Sequence, residues 1–141
     1  MKNTNPDLIA TPVKEFELNF ENRTHYLFVK GAGIRRTLHS ILESTQELTQ
    51  IMETSKSKFI LLDYAELTTI ISNSDIFNIT RLYETKAPLL YQLCISIIIN
   101  PNEIHMEKFW EEICRKRGFN FKIFSDAPEA EKWLLEQSAK S

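Results

Sequence analysis

Glycine is scarce in this chain, with 3 among 141 residues, and proline numbers 5. So few turn formers argue against a sandwich of many short strands. Cysteine is nearly absent: Cys94 and Cys114 stand apart, without CxxC spacing. Such a pair neither staples a small secreted scaffold nor marks a zinc site, and reads as two reduced core thiols. No run approaches the roughly 20 apolar residues of a membrane span. The longest, Cys94 to Ile99, is strand-sized. Neither sign of charge dominates; the formal net charge is -2, which gives no electrostatic pull toward nucleic acid. Met1 to Thr11 is polar and lacks an apolar signal core, so no export signal is expected and a cytoplasmic location is taken by default. His25, His39 and His105 show no HxxxH or HExxH spacing, and no serine sits in GxSxG. No metal, cofactor or catalytic residue is therefore assigned.

What is present is a globular composition, 43% hydrophobic and 26% charged, at a length that suits one domain with its own core. Residues 1–13 read as a flexible leader, 14–137 as a single domain and 138–141 as a frayed tail. Glu15 to Glu21 alternates strictly, with Phe16, Leu18 and Phe20 on one face, as in a half-solvated strand. A second strand from His25 to Lys30 completes a hairpin, its inner face either Leu27 and Val29 or Tyr26 and Phe28. Gly31-Ala32-Gly33 reads as the end of that strand, leading into a long helix striped by Leu38, Ile41, Leu42, Thr45, Leu48, Ile51 and Met52. The GxG lacks the rest of a dinucleotide fingerprint or a P-loop, and Arg35 and Arg36 read as solvated first-turn residues.

The stretch Lys58 to Leu67 organises the rest. Phe59 to Leu62 is an unbroken apolar run, as in a strand buried on both faces, and the strand is expected to end at Tyr64. Asp63, Tyr64 and Glu66 then mark its exit, where an open α/β sheet places a site. Ser72 and Asp75 have capping-box spacing before a helix striped by Ile76, Ile79 and Tyr83 and closed near Pro88. Leu93 to Ile99 is a buried strand. A third helix carries Phe109, Trp110 and Ile113 and stops at Gly118. Phe119 to Phe124 is a short strand, and Asp126 caps a last helix whose Ala130, Trp133 and Leu134 pack. The order predicts an α/β fold: a mostly parallel sheet of about five strands with an N-terminal antiparallel hairpin, and helices packed against the sheet.

Phe59-Ile60-Leu61-Leu62-Asp63, together with the closing Phe124-Ser125-Asp126-Ala127-Pro128-Glu129-Ala130-Glu131-Lys132-Trp133-Leu134, resembles the SpoIIAA-like family, within the wider STAS and CRAL-TRIO-like superfamily. The resemblance runs from roughly Glu15 to Leu135. It implies a small bacterial α/β regulator that binds another protein. Anti-sigma-factor antagonists of this group resemble switches phosphorylated on a Ser in an Asp-Ser-Ser-Gly-Leu pattern. The comparable stretch is Ile71-Ser72-Asn73-Ser74-Asp75, where Ser72 falls at that point but the preceding Asp and following Gly are absent.

The leading expectation is a non-enzymatic regulatory or protein-interaction domain. Its partner surface would span Asp63 to Asp75, including Asp63, Tyr64, Glu66, Ser72 and Ser74, and would be adjusted by phosphorylation. A phosphate there would meet free amides at a helix N-terminus, whereas the simpler role of Ser72 or Ser74 is to cap that helix. A second expectation, by analogy with lipid-binding members of the superfamily, is a carrier or sensor of a lipid or other small apolar molecule. It requires a cavity lined by residues such as Ile70, Ile71, Phe77, Phe109 and Trp110. A third is a small enzyme using Asp63, Glu66 or Tyr64, and a homodimer through an exposed edge strand is open.

Overall fold

The computed structural model describes residues 14–141, and the expected leader lies outside them. Five strands form one sheet in chain order. Strand β1 (Phe16–Asn22) pairs antiparallel with β2 (Leu27–Arg35). Then β3 (Phe59–Thr69), β4 (Cys94–Ile98) and β5 (Asn120–Phe124) follow in parallel. The helices are α1 (Leu38–Ser55), α2 (Asn73–Lys86), α3 (Ile104–Lys116) and α4 (Ala127–Lys140). Short 3₁₀ turns at Pro88–Gln92 and Pro101–Glu103 lead into β4 and α3. The expected fold class is therefore the observed one.

Strand order explains where the helices lie. Each parallel step goes to the next strand in the same direction, and such crossovers share one hand, so their helices fall on one face. Ile41, Leu48 and Met52 of α1, Ile79 and Tyr83 of α2 and Cys114 of α3 all pack against Leu27, Val29, Ile60, Leu62, Ile95 and Ile97. Only α4 follows the last strand, and it covers the other face. Its Ala130 and Leu134 meet Tyr26, Leu61, Cys94 and Ile98. The buried Ser96 hydroxyl donates to the Ala130 carbonyl at 2.9 Å, which fastens α4 to the sheet. Both candidate inner faces of the second strand are thus used, Leu27 and Val29 toward three helices, Tyr26 and Phe28 toward α4.

Two strands run longer than the sequence pattern suggests. β2 does not stop at Lys30; Gly31-Ala32-Gly33 lies within it, all three paired with β1 and Ala32 and Gly33 paired with β3 as well. β3 does not stop at Tyr64 but continues to Thr69. The reason is a bulge. Lys30 pairs with Asp63 and Ala32 with Glu66, so β3 carries one extra residue there. Ile60, Leu62 and Tyr64 are buried, and so is Leu67, three positions on instead of two. The bulge absorbs the extra residue and keeps Leu67 and Thr69 on the helix-covered face.

The glycines of β2 answer to this packing. A Cβ on Gly31 would lie 2.7 Å from two ring carbons of Tyr64. Gly33 has φ +108, and its Cβ would lie 2.1 Å from the Glu15 carbonyl oxygen. Both glycines are accounted for by contacts within the sheet.

Candidate functional site

At the end of β3 the chain turns through Ile70 and Ile71 into α2. Ser72 caps α2: its hydroxyl accepts from the Asp75 amide at 3.2 Å, while the Asp75 carboxylate accepts from the Ser72 amide at 3.3 Å. Two of the free donors of a helix N-terminus are met by this exchange. The Ser74 hydroxyl lies 3.1 Å from that of Ser72, and both serines are exposed. Ile71 tucks toward the core, whereas Ile70 is 52% exposed and Phe77, on the first turns of α2, is 44% exposed. The Phe77 ring meets Phe109 of α3 edge to face, with centroids 6.0 Å apart. Two large apolar side chains therefore flank a capped helix start that carries two exposed, mutually hydrogen-bonded hydroxyls.

The other expected site residues do not join this surface. Asp63, Tyr64 and Glu66 sit inside β3, so the expected loop from Asp63 to Asp75 shrinks to the three residues between Thr69 and Asn73. Asp63 accepts the Ala65 amide at 3.2 Å, a local bond across the bulge. Glu66 is exposed and pairs with Lys30 at 2.7 Å. Tyr64 points to the other face, is 6% exposed and rests on Gly31. Burial raises its phenol above the usual range, with Arg35 pulling it back. The three side chains do not converge on a point where one reaction would occur. Nor does strand order supply the usual crevice: a sheet laid down 1-2-3-4-5 has no point where the order reverses. Among the described residues, no cluster of His, Cys, Asp and Glu would hold a metal.

Beneath the β3–α2 junction lies a polar group that the sequence pattern does not reveal. Arg35, expected in solvent, is 5% exposed. Its position is the last of β2 rather than the first turn of a helix, so it faces inward. It donates to the Thr69 hydroxyl from Nε at 3.1 Å and Nη2 at 2.8 Å, and to the Ser44 hydroxyl from Nη1 at 3.0 Å. It lies over the Tyr64 ring, 5.1 Å from the centroid. Among the described residues it makes no ion pair. Glu107 of α3 is also buried, and lack of solvent pushes its carboxyl up to about 7, with Arg35 drawing it down. Both line a cavity with Thr69, Ile71 and Trp110. The Trp110 indole N–H is buried without a hydrogen-bond partner among the described residues.

That cavity measures about 20 Å³, as does a second one beside it lined by Arg35, Tyr64, Tyr83 and Trp110. Each admits one water; a bound small molecule needs roughly 300 Å³ or more. Of the five residues expected to line a lipid cavity, Ile70 and Phe77 face out, and only Ile71 and Trp110 reach the first of these spaces. No helix among the described residues is long and apolar enough to cross a membrane.

The fold matches solved structures, among them these two. One is an uncharacterised protein of the DUF3478 family with a SpoIIAA-like fold, from Shewanella loihica PV-4. It shares 17% identity over 89% of this chain and 98% of that one, at a TM-score of 0.52. The other is an anti-sigma factor antagonist from Mycobacterium paratuberculosis, at 9% identity over 88% of this chain and 97% of that one, with a TM-score of 0.57. No protein-family model and no curated protein matches the chain. The SpoIIAA-like fold expected from the sequence is thus observed.

Proposed function

We propose that the chain is a non-enzymatic regulatory domain that acts by binding another protein, with the β3–α2 junction as its docking surface. The observation that carries this reading is the exposure of Ile70 and Phe77 on either side of the Ser72 cap. Large apolar side chains in a ring of polar ones are the usual anchors of an interface. The shared fold with an anti-sigma factor antagonist supports a regulatory role.

Ser72 and Ser74 give this surface a means of adjustment. A phosphate on either would sit at the positive end of α2, which favours it, and beside the Asp75 carboxylate, which opposes it. On Ser72 it would also strain the reciprocal cap. Modification would therefore change the charge and shape of the docking surface at once.

The test uses the chain as bait in cells that naturally make it. Proteins retained by the wild type are expected to be lost from a variant carrying Ile70→Asp and Phe77→Asp. Tyr91→Asp, at a residue equally exposed but elsewhere, is expected to keep them. If the double variant retains the same proteins, or the wild type retains none, the reading fails. Mass spectrometry of native protein tests the adjustment: absence of phosphate from Ser72 and Ser74 under all growth conditions removes it.

A further inference from the structure

The two edges of the sheet are treated differently. At β5 the outward backbone groups are occupied by side chains of α3. The Ile123 amide donates to Glu111 at 2.5 Å, Lys108 donates to the Ile123 carbonyl at 2.7 Å, and Arg115 reaches the Phe121 carbonyl at 3.4 Å. That edge is closed to another strand.

At β1 nothing comparable occurs among the described residues. The Ile34 amide donates to the Glu15 carbonyl at 2.9 Å, so Glu15 turns its backbone toward β2, as do Glu17, Asn19 and Glu21. Phe16, Leu18, Phe20 and Asn22 then turn theirs to the free edge. Phe20 is 50% exposed in the middle of this edge.

We propose that β1 pairs antiparallel with β1 of a second copy, across a two-fold axis at Phe20, to make one continuous sheet. Hydrogen-bond parity permits an axis at any residue of the strand; overlap and charge select among them. With the axis at Phe16 or at Asn22, only that one residue of β1 finds a strand partner. With the axis at Glu17 or at Glu21, that glutamate faces itself. At Leu18, Glu15 faces Glu21, and at Asn19, Glu17 faces Glu21. Like charges directly opposite are destabilising. At Phe20 the conflict disappears: Glu21 faces Asn19 within the strand, and Glu17 faces Arg23, which closes the hairpin by its amide hydrogen bond to the Tyr26 carbonyl. On the helix-covered side the two Phe20 rings then meet across the axis, and each loses its solvent exposure. Arg23 is already held on the correct side of the sheet, 4.1 Å above the Phe28 ring and 3.1 Å from Glu21. The contact is isologous, closes at two copies and leaves the β3–α2 surface free.

Light scattering after gel filtration and sedimentation equilibrium read this directly. The wild type is expected to show a concentration-dependent dimer. Phe20→Lys is expected to be a folded monomer, and Phe77→Lys to remain dimeric, which separates this contact from the proposed docking surface. Glu17→Arg and Arg23→Glu are each expected to weaken the dimer at least tenfold, and the two together to restore it. Restoration is the readout that a merely structural role of Arg23 would not give. A wild type that stays monomeric up to about 1 mM, a dimer that survives Phe20→Lys, or a charge swap that fails to restore it overturns the proposal. In the first case the edge is left for an extended strand of a different protein.

Discussion

At the scale of the residue, Glu107 and Arg35 are the groups that least resemble ordinary surface charges. The Glu107 carboxyl titrates near 7 in the fold because burial disfavours its charged form, against an ordinary value of 4.5. Between those values the unfolded chain gives up a proton that the fold retains. Stability from this group is therefore intact below about pH 4.5, falls as pH rises and levels off above about 7. At 1.36 kcal/mol per unit the loss is at most about 3 kcal/mol. Glu107→Gln is expected to be more stable than the wild type at pH 8 by roughly 1–3 kcal/mol, with the difference vanishing near pH 4, as read by urea denaturation. Equal differences at both pH values would mean that the Glu107 carboxyl titrates alike in the folded and unfolded chain. Arg35 is 5% exposed. Its burial rests on Thr69, Ser44 and the Tyr64 ring, and none of these is near it in sequence. That is why its role was hidden: position in the sheet, not neighbouring residues, decides which way it faces.

At the scale of the element, the instructive case is β3. Its alternation is regular through Ile60, Leu62 and Tyr64, and that half was legible as a core strand. The pattern then slips by one residue, so a reader of alternation ends the strand at Tyr64 and sees Asp63, Tyr64 and Glu66 as its polar exit. The bulge lets one strand contain both halves, and the supposed site becomes a mid-strand irregularity. The Gly31 and Gly33 pattern misled for a related reason, since its causes lie across the sheet at Tyr64 and Glu15. Caps were legible because they are local: Ser72 with Asp75 and Asp126 with Glu129 both form as spaced. If the bulge only accommodates an extra residue, removing Ala65 restores plain alternation from Leu62 to Thr69. The Ala65 deletion is expected to fold, with a melting temperature well above that of a Ser96 deletion. The latter shifts β4 between its two faces and breaks the bond to Ala130. Circular dichroism during heating ranks the two. An Ala65 deletion that does not fold would show that the bulge itself is required.

At the scale of the whole molecule, the two faces of the sheet carry one tryptophan each: Trp110 against the three-helix side and Trp133 against the α4 side. They report separately on two halves of a shared sheet. β4 feeds both, with Ile95 and Ile97 on one side and Cys94 and Ile98 on the other, so the halves are expected to unfold together. Fluorescence of Trp110→Phe and of Trp133→Phe in urea should give coincident wild-type-like transitions after correction for each variant's stability. An earlier transition seen only by Trp133 would mark α4 as a separable layer. The strand order has a further consequence for synthesis. Each strand joins an edge that its predecessors have already made, so nothing translated early must wait for a distant partner. The sheet can grow in step with the ribosome. Lys108 and Glu111 emerge just before β5, so the last edge can be sealed as soon as it forms. The first edge, at β1, is left open by the described residues from the beginning of that process to its end, and in a polysome it is the one that nascent neighbours would meet.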